Sequence, residues 1–127
     1  MAKDQPTPAT AASIPAYDRL IATTQEVERK GAKVPYTSLN GNMSSYLAED
    51  GTLVLRLSPS DREAFLGKYG TRLHEAYGIV QKEYVEVPPV LLDATDELAP
   101  WFAVSVAWVR GLRPKPTTKP KRSDASA

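Results

Sequence analysis

His74 is the one histidine among 127 residues, and histidine is the side chain whose ordinary pKa lies near neutrality. It is therefore the first place to look for proton transfer. A general acid or base also needs a partner to orient it and a pocket for a substrate. Glu75 is adjacent, but neighbours on a strand point to opposite faces, so it does not supply that partner. Nucleophiles are equally sparse. There is no cysteine, no serine sits in a Gly-x-Ser-x-Gly elbow, and Ser44 and Ser45 lie in an extended stretch with no base nearby. Carboxylates pair at Glu49-Asp50 and Asp96-Glu97. The first suits a turn and the second the positive end of a helix. A metal site would need several oxygen ligands at chelating spacing, and the seven glycines are scattered rather than gathered into a phosphate-binding loop. No catalytic residue, cofactor or metal is expected. The remaining enzymatic reading is a pocket built around His74 or Arg56.

Two other groups of residues could bind. Arg110, Arg113, Lys115, Lys119, Lys121 and Arg122 form a basic, proline-rich end on a mildly acidic body. Six cations could neutralise about six phosphates in a salt-sensitive, non-specific way, although no aromatic residue is interleaved for base stacking. Tyr36, Tyr46, Val54, Arg56 and Tyr84 fall on strand-like segments where the side not used by the core could meet a partner.

These side chains must be positioned by a single domain, since the length leaves little room for a second. Hydrophobic residues make up 42% and charged residues 24%, which is ordinary for a globular chain. No apolar run approaches the ~20 residues of a membrane span. No apolar core follows Lys3, so no secretory signal is expected and the expected location is the cytoplasm. Residues 1–13 read as a disordered arm and 114–127 as a disordered basic tail, which leaves 14–113 as the folded unit.

Within it, Tyr17, Leu20, Ile21, Thr24 and Val27 share a helical face. With Ser13 as cap and Gly31 as stop, they predict a helix over 15–30. Three short strands follow, at 34–39, 42–48 and 52–57. Asn40-Gly41 marks one hairpin and Glu49-Asp50-Gly51 another, and Pro35 points to an edge strand or an irregular start. Leu53, Leu55 and Leu57 face one way and Thr52, Val54 and Arg56 the other. Ser58-Pro59-Ser60-Asp61 starts a second helix over 59–69. Strands at 71–77 and 81–87 and a short turn at 89–93 come next. The last helix carries Leu98, Trp101, Phe102, Ser105, Trp108, Val109 and Leu112 on one face, and Pro100 suggests that its regular part begins as late as Ala99. The order is α-β-β-β-α-β-β-α. Hairpin connections and one leucine-rich face make it a two-layer α+β domain with a mainly antiparallel sheet and helices on one face.

The succession Asn42-Met43, Gly51-Thr52-Leu53-Val54-Leu55-Arg56-Leu57, Asp61-Arg62-Glu63-Ala64-Phe65, Glu83-Tyr84-Val85-Glu86-Val87-Pro88 and Glu97-Leu98-Ala99-Pro100-Trp101-Phe102 resembles the TfoX/Sxy N-terminal domain over roughly residues 15–113. The resemblance implies the same element order in a bacterial protein. It supplies no catalytic residues, and the regulatory role for which the family is named belongs to a member with a second, C-terminal helical domain, where this chain has its Pro/Lys tail. Family members commonly show Met-Phe-Gly-Gly at the start of the second strand, where this chain has Met43-Ser44-Ser45-Tyr46. The expected function is a non-enzymatic module that binds a protein partner or itself, with a homodimer as the simplest form. A nucleic-acid-associated regulator using the basic tail is the alternative.

Overall fold

The computed structural model describes residues 6–76 and 78–113. Its first helix, α1, runs Pro8–Ile21, earlier at both ends than the predicted 15–30. The start is set by Thr7, whose side chain accepts from the Thr10 amide while Pro8 fills the first turn. The stretch expected to be a disordered arm is thus helical from residue 8. Ser13, expected to cap, instead donates its hydroxyl to the Gly51 carbonyl at 2.8 Å. The end is set by threonines. Thr23 Oγ1 donates to the Leu20 carbonyl, and Thr24 Oγ1 accepts from the Glu26 amide, so local bonds replace the next helical turn. Pro15 lies inside the helix on its exposed side.

The five strands are β1 (Tyr36–Leu39), β2 (Asn42–Leu47), β3 (Leu53–Arg56), β4 (Leu73–Ala76) and β5 (Ile79–Val87). They form one antiparallel sheet in the order β1-β2-β3-β5-β4. Asn40 and Gly41 both take positive φ, 55° and 81°, as a two-residue hairpin requires. β1, preceded by Pro35, is an edge strand as expected. Its pairing with β2 is broken by a bulge at Thr37/Ser38, and a second irregularity at Leu73/His74 interrupts β4–β5.

Helix α2 (Pro59–Tyr69) is capped by Ser58, which accepts from the Asp61 amide, and is closed by Gly70 at φ 61°. The short α3 (Pro89–Asp93) matches the predicted turn. α4 spans Thr95–Arg110, so Pro100 does not delay its start. Glu97 and Leu98 amides already bond the Ala94 carbonyl, and the proline ring sits on the exposed side. All four helices cover one face of the sheet. Tyr17, Leu20, Leu53, Leu55, Leu57, Phe65, Val85, Leu98 and Phe102 are fully buried between the layers. The buried stripe of α4 is Leu98, Phe102, Ser105, Val106 and Val109. Trp101, Trp108 and Leu112 stay half-buried at its margin, so the predicted face is rotated toward Val106.

Candidate functional site

The face of the sheet away from the helices carries most of the residues singled out for binding. Residues paired across neighbouring strands share a face. The register runs Tyr36–Tyr46, Tyr46–Val54 and Val54–Glu86, with Arg56 beside Tyr84. Tyr46, Val54, Arg56 and Tyr84 are therefore brought together, and Tyr36 extends the row to the edge, its ring packed against Gly31.

His74 joins this group from β4. Neighbouring strands lie ~4.8 Å apart, and β3 and β5 stand between β2 and β4. Even so, the Tyr46 and His74 rings meet edge to face with centroids 5.7 Å apart, and Tyr84 reaches Tyr46 at 5.9 Å. The rings lean inward and roof the centre of the face. Val54 is fully buried there, which corrects the expectation that it offers itself to a partner: it is the floor beneath the rings. Tyr84, half-buried with its phenol pKa pushed up by desolvation, lies 5.9 Å beneath the Arg56 guanidinium.

Charges surround these rings in opposed pairs. Arg56 Nε meets Glu83 Oε1 at 2.8 Å. Glu86 takes Arg72 Nε on one oxygen and His74 Nδ1 on the other, both at 3.0 Å. His74 is nine-tenths buried, and Glu86 fixes its ring orientation. This partner stands twelve residues along the chain. Sequence spacing points only to Glu75 and carries no signal for Glu86 beyond its sharing a strand face with Tyr84.

A hollow of about 450 Å3 opens beside His74, lined also by Val34, Tyr46, Glu49, Asp50 and Ala76. Arg56 lines a separate depression with Tyr84 and Glu83. The two residues named for an enzymatic pocket thus lie in different concavities. Among the described residues no group of three or more His, Cys, Asp or Glu side chains could hold a metal ion, and no helix is long and apolar enough to cross a membrane.

Of the basic residues, Arg110 pairs with Glu26 on the loop after α1. The exposed Arg113 uses its carbonyl to accept from Asn42 Nδ2 at 3.0 Å. Lys115, Lys119, Lys121 and Arg122 lie outside the described residues.

On the helix-covered face, Ser44 and Ser45, two of the three positions that depart from Met-Phe-Gly-Gly, join Tyr17 and Thr37 in a buried hydroxyl chain. Tyr17 Oη meets Ser45 Oγ, Ser45 Oγ meets Thr37 Oγ1, and Thr37 Oγ1 meets Ser44 Oγ, each at 2.6 Å. The chain ends where Ser44 Oγ donates to the Thr37 carbonyl at 3.4 Å. Read from that end, every hydroxyl donates once and accepts at least once apart from the leading tyrosine, so a fully buried polar run is satisfied internally. Ser105 of α4 donates to the Arg56 and Ser44 carbonyls at 2.7 and 3.1 Å. These bonds join helix to sheet.

No protein-family model, curated protein or solved structure matches this chain.

Proposed function

We propose that this chain is a small non-enzymatic interaction module of the bacterial cytoplasm, of the TfoX/Sxy N-terminal kind, and that its partner is a second copy of itself docked through the helix-free face. The observation that carries the reading is that this face, without a helix over it among the described residues, bears exposed apolar side chains at both rims. Ile79, paired with Ala76 and so on the same side as His74, is 64% exposed, and Val34 at the opposite rim is 44% exposed. Such residues gain by leaving water together. The charges around them support self-association in particular. Arg56 and Arg72 stand against Glu83 and Glu86, and such paired charges of both signs can be exchanged across a twofold contact in which the same patch meets itself.

The tail-borne nucleic-acid reading has less support, because Arg110 is already engaged by Glu26. The enzymatic reading has His74 oriented by Glu86, but Arg56 is in another concavity.

Light scattering on a sizing column tests the proposal. Wild-type protein in the high-micromolar range is expected at twice the 13.9 kDa chain mass, and Ile79→Asp, an exposed change that leaves the core intact, is expected at the single-chain mass. A wild-type monomer throughout that range, or a dimer indifferent to Ile79→Asp, overturns it.

A further inference from the structure

The hollow beside His74 has a lining of mixed chemistry. Val34, Tyr46 and Ala76 contribute apolar surface, and Glu49 and Asp50 of the β2–β3 turn contribute carboxylates. Its volume of about 450 Å3 falls within the ~300–1,000 Å3 typical of small-molecule sites. The nearby positive charge of Arg72 is taken up by Glu86, which also holds His74 Nδ1. Neither Glu49 nor Asp50 has a salt-bridge partner among the described residues. Glu49 and Asp50 are both exposed. Asp50 Oδ1 accepts the Thr52 amide at 3.0 Å, and this backbone bond holds its carboxyl below the usual carboxylate range. The lining thus combines two carboxylates, apolar side chains, an aromatic ring and an imidazole whose orientation is fixed by Glu86.

We propose that this hollow is a binding site for a small organic cation, a protonated primary amine on a short aromatic or aliphatic body. The body lies against Tyr46, Val34 and Ala76, and the ammonium lies at Glu49 and Asp50. Both parts are needed. An apolar lining alone accepts any apolar body, and exposed carboxylates alone hold a cation only weakly. The site does not depend on the self-association reading, because it lies within one chain and can be probed in dilute protein.

Three probes with one body and different heads test it: phenethylammonium, 2-phenylethanol and phenylacetate. Each is titrated into dilute, isotopically labelled full-length protein, and the amide signals of residues 46–50 and 74–76 are followed. Phenethylammonium is expected to shift them saturably, with about tenfold higher affinity than the alcohol, the size of one partly solvated charge contact. Phenylacetate is expected to leave them unmoved. The double variant Glu49→Gln with Asp50→Asn removes both charges and keeps a side-chain oxygen for the Thr52 amide. It should bring the amine down to the level of the alcohol. Val34→Arg, at a partly exposed position where a longer side chain fits, should abolish amine binding by placing a fixed cation at the rim. Equal binding of amine and alcohol, binding of phenylacetate, an undiminished amine affinity in either variant, or no shift with any probe overturns the proposal.

Discussion

At the scale of single residues, the buried hydroxyl chain is the feature with the sharpest energetic consequences. Tyr17, Thr37, Ser44 and Ser45 are all fully buried, and each satisfies the next. Ser45→Ala leaves the Tyr17 hydroxyl without its partner, and a buried unsatisfied group costs ~1–3 kcal/mol. Tyr17→Phe removes that hydroxyl. Denaturant unfolding of the two single variants and the double variant is expected to show a double-mutant cost well below the sum, because the second change removes the group the first one orphaned. Strict additivity would mean that the bond contributes nothing.

Tyr17 also sets a pH dependence. Burial, the main cause, raises its phenol pKa well above the ordinary value of 10. The unfolded phenol ionises near pH 10, whereas the folded one keeps its proton, so above pH 10 the unfolded state binds fewer protons. Stability is therefore intact below pH 10 and falls above it, by up to about 1.4 kcal/mol per pH unit until the folded group titrates. Desolvation of Tyr84 acts in the same direction. Urea melts between neutral and strongly alkaline pH should show a shallower alkaline loss in Tyr17→Phe than in wild type. An identical loss would contradict the assignment. Part of this hydroxyl chain is legible in the sequence, because the Asn40-Gly41 hairpin sets Thr37 across from Ser44 and Ser45. Tyr17 joins them only through the packing of α1, which no local spacing reveals.

At the scale of elements, α1 shows what composition conceals. The stretch Thr7-Pro8-Ala9-Thr10 reads as disordered because it is rich in Pro, Thr and Ala. Yet Thr7, Thr10 and Ser13 place hydroxyls three residues apart, on one helical face. They donate to the carbonyls of Glu49, Ala48 and Gly51 at 2.6, 2.6 and 2.8 Å. The helix is sewn to the β2–β3 turn, and tertiary bonds outweigh its weak propensity. The strands are easier to read, because alternation in Leu53–Leu57 and the Asn40-Gly41 hairpin are local signals of non-local structure. The α4 stripe differs from its sequence expectation because Trp101 and Trp108 are large enough to belong to a core yet sit at its margin.

The seam explains a conformational constraint at Gly51. A Cβ there would lie 2.6 Å from the Ala9 carbonyl oxygen, with φ at +86°, whereas at Gly78, with φ at +77°, it would meet nothing within 4 Å. Both glycines share the left-handed cost of ~1–2 kcal/mol on gaining a side chain, so the difference between them isolates the contact with α1. Gly51→Ala is expected to destabilise the fold by at least ~1 kcal/mol more than Gly78→Ala. Equal losses in thermal or urea unfolding would mean that α1 is not held against the turn.

At the scale of the whole molecule, the two sheet faces differ in kind. One is closed by four helices over a leucine, valine and phenylalanine core. Among the described residues, the other is covered by no helix: its Tyr46, Tyr84 and His74 rings lie over it, and Ile79 and Val34 are exposed at its margins. Sequence alternation separates the faces correctly but cannot show that the rings fold over Val54. The central claim is that this second face is where one copy meets another. Comparing amide chemical shifts of the labelled chain at dilute and at high-micromolar concentration tests it most directly. Concentration-dependent shifts are expected, confined to residue 34, β2 near Tyr46, and the β4–β5 hairpin. Shifts confined to the helices, or spectra unchanged over the whole range, would contradict it.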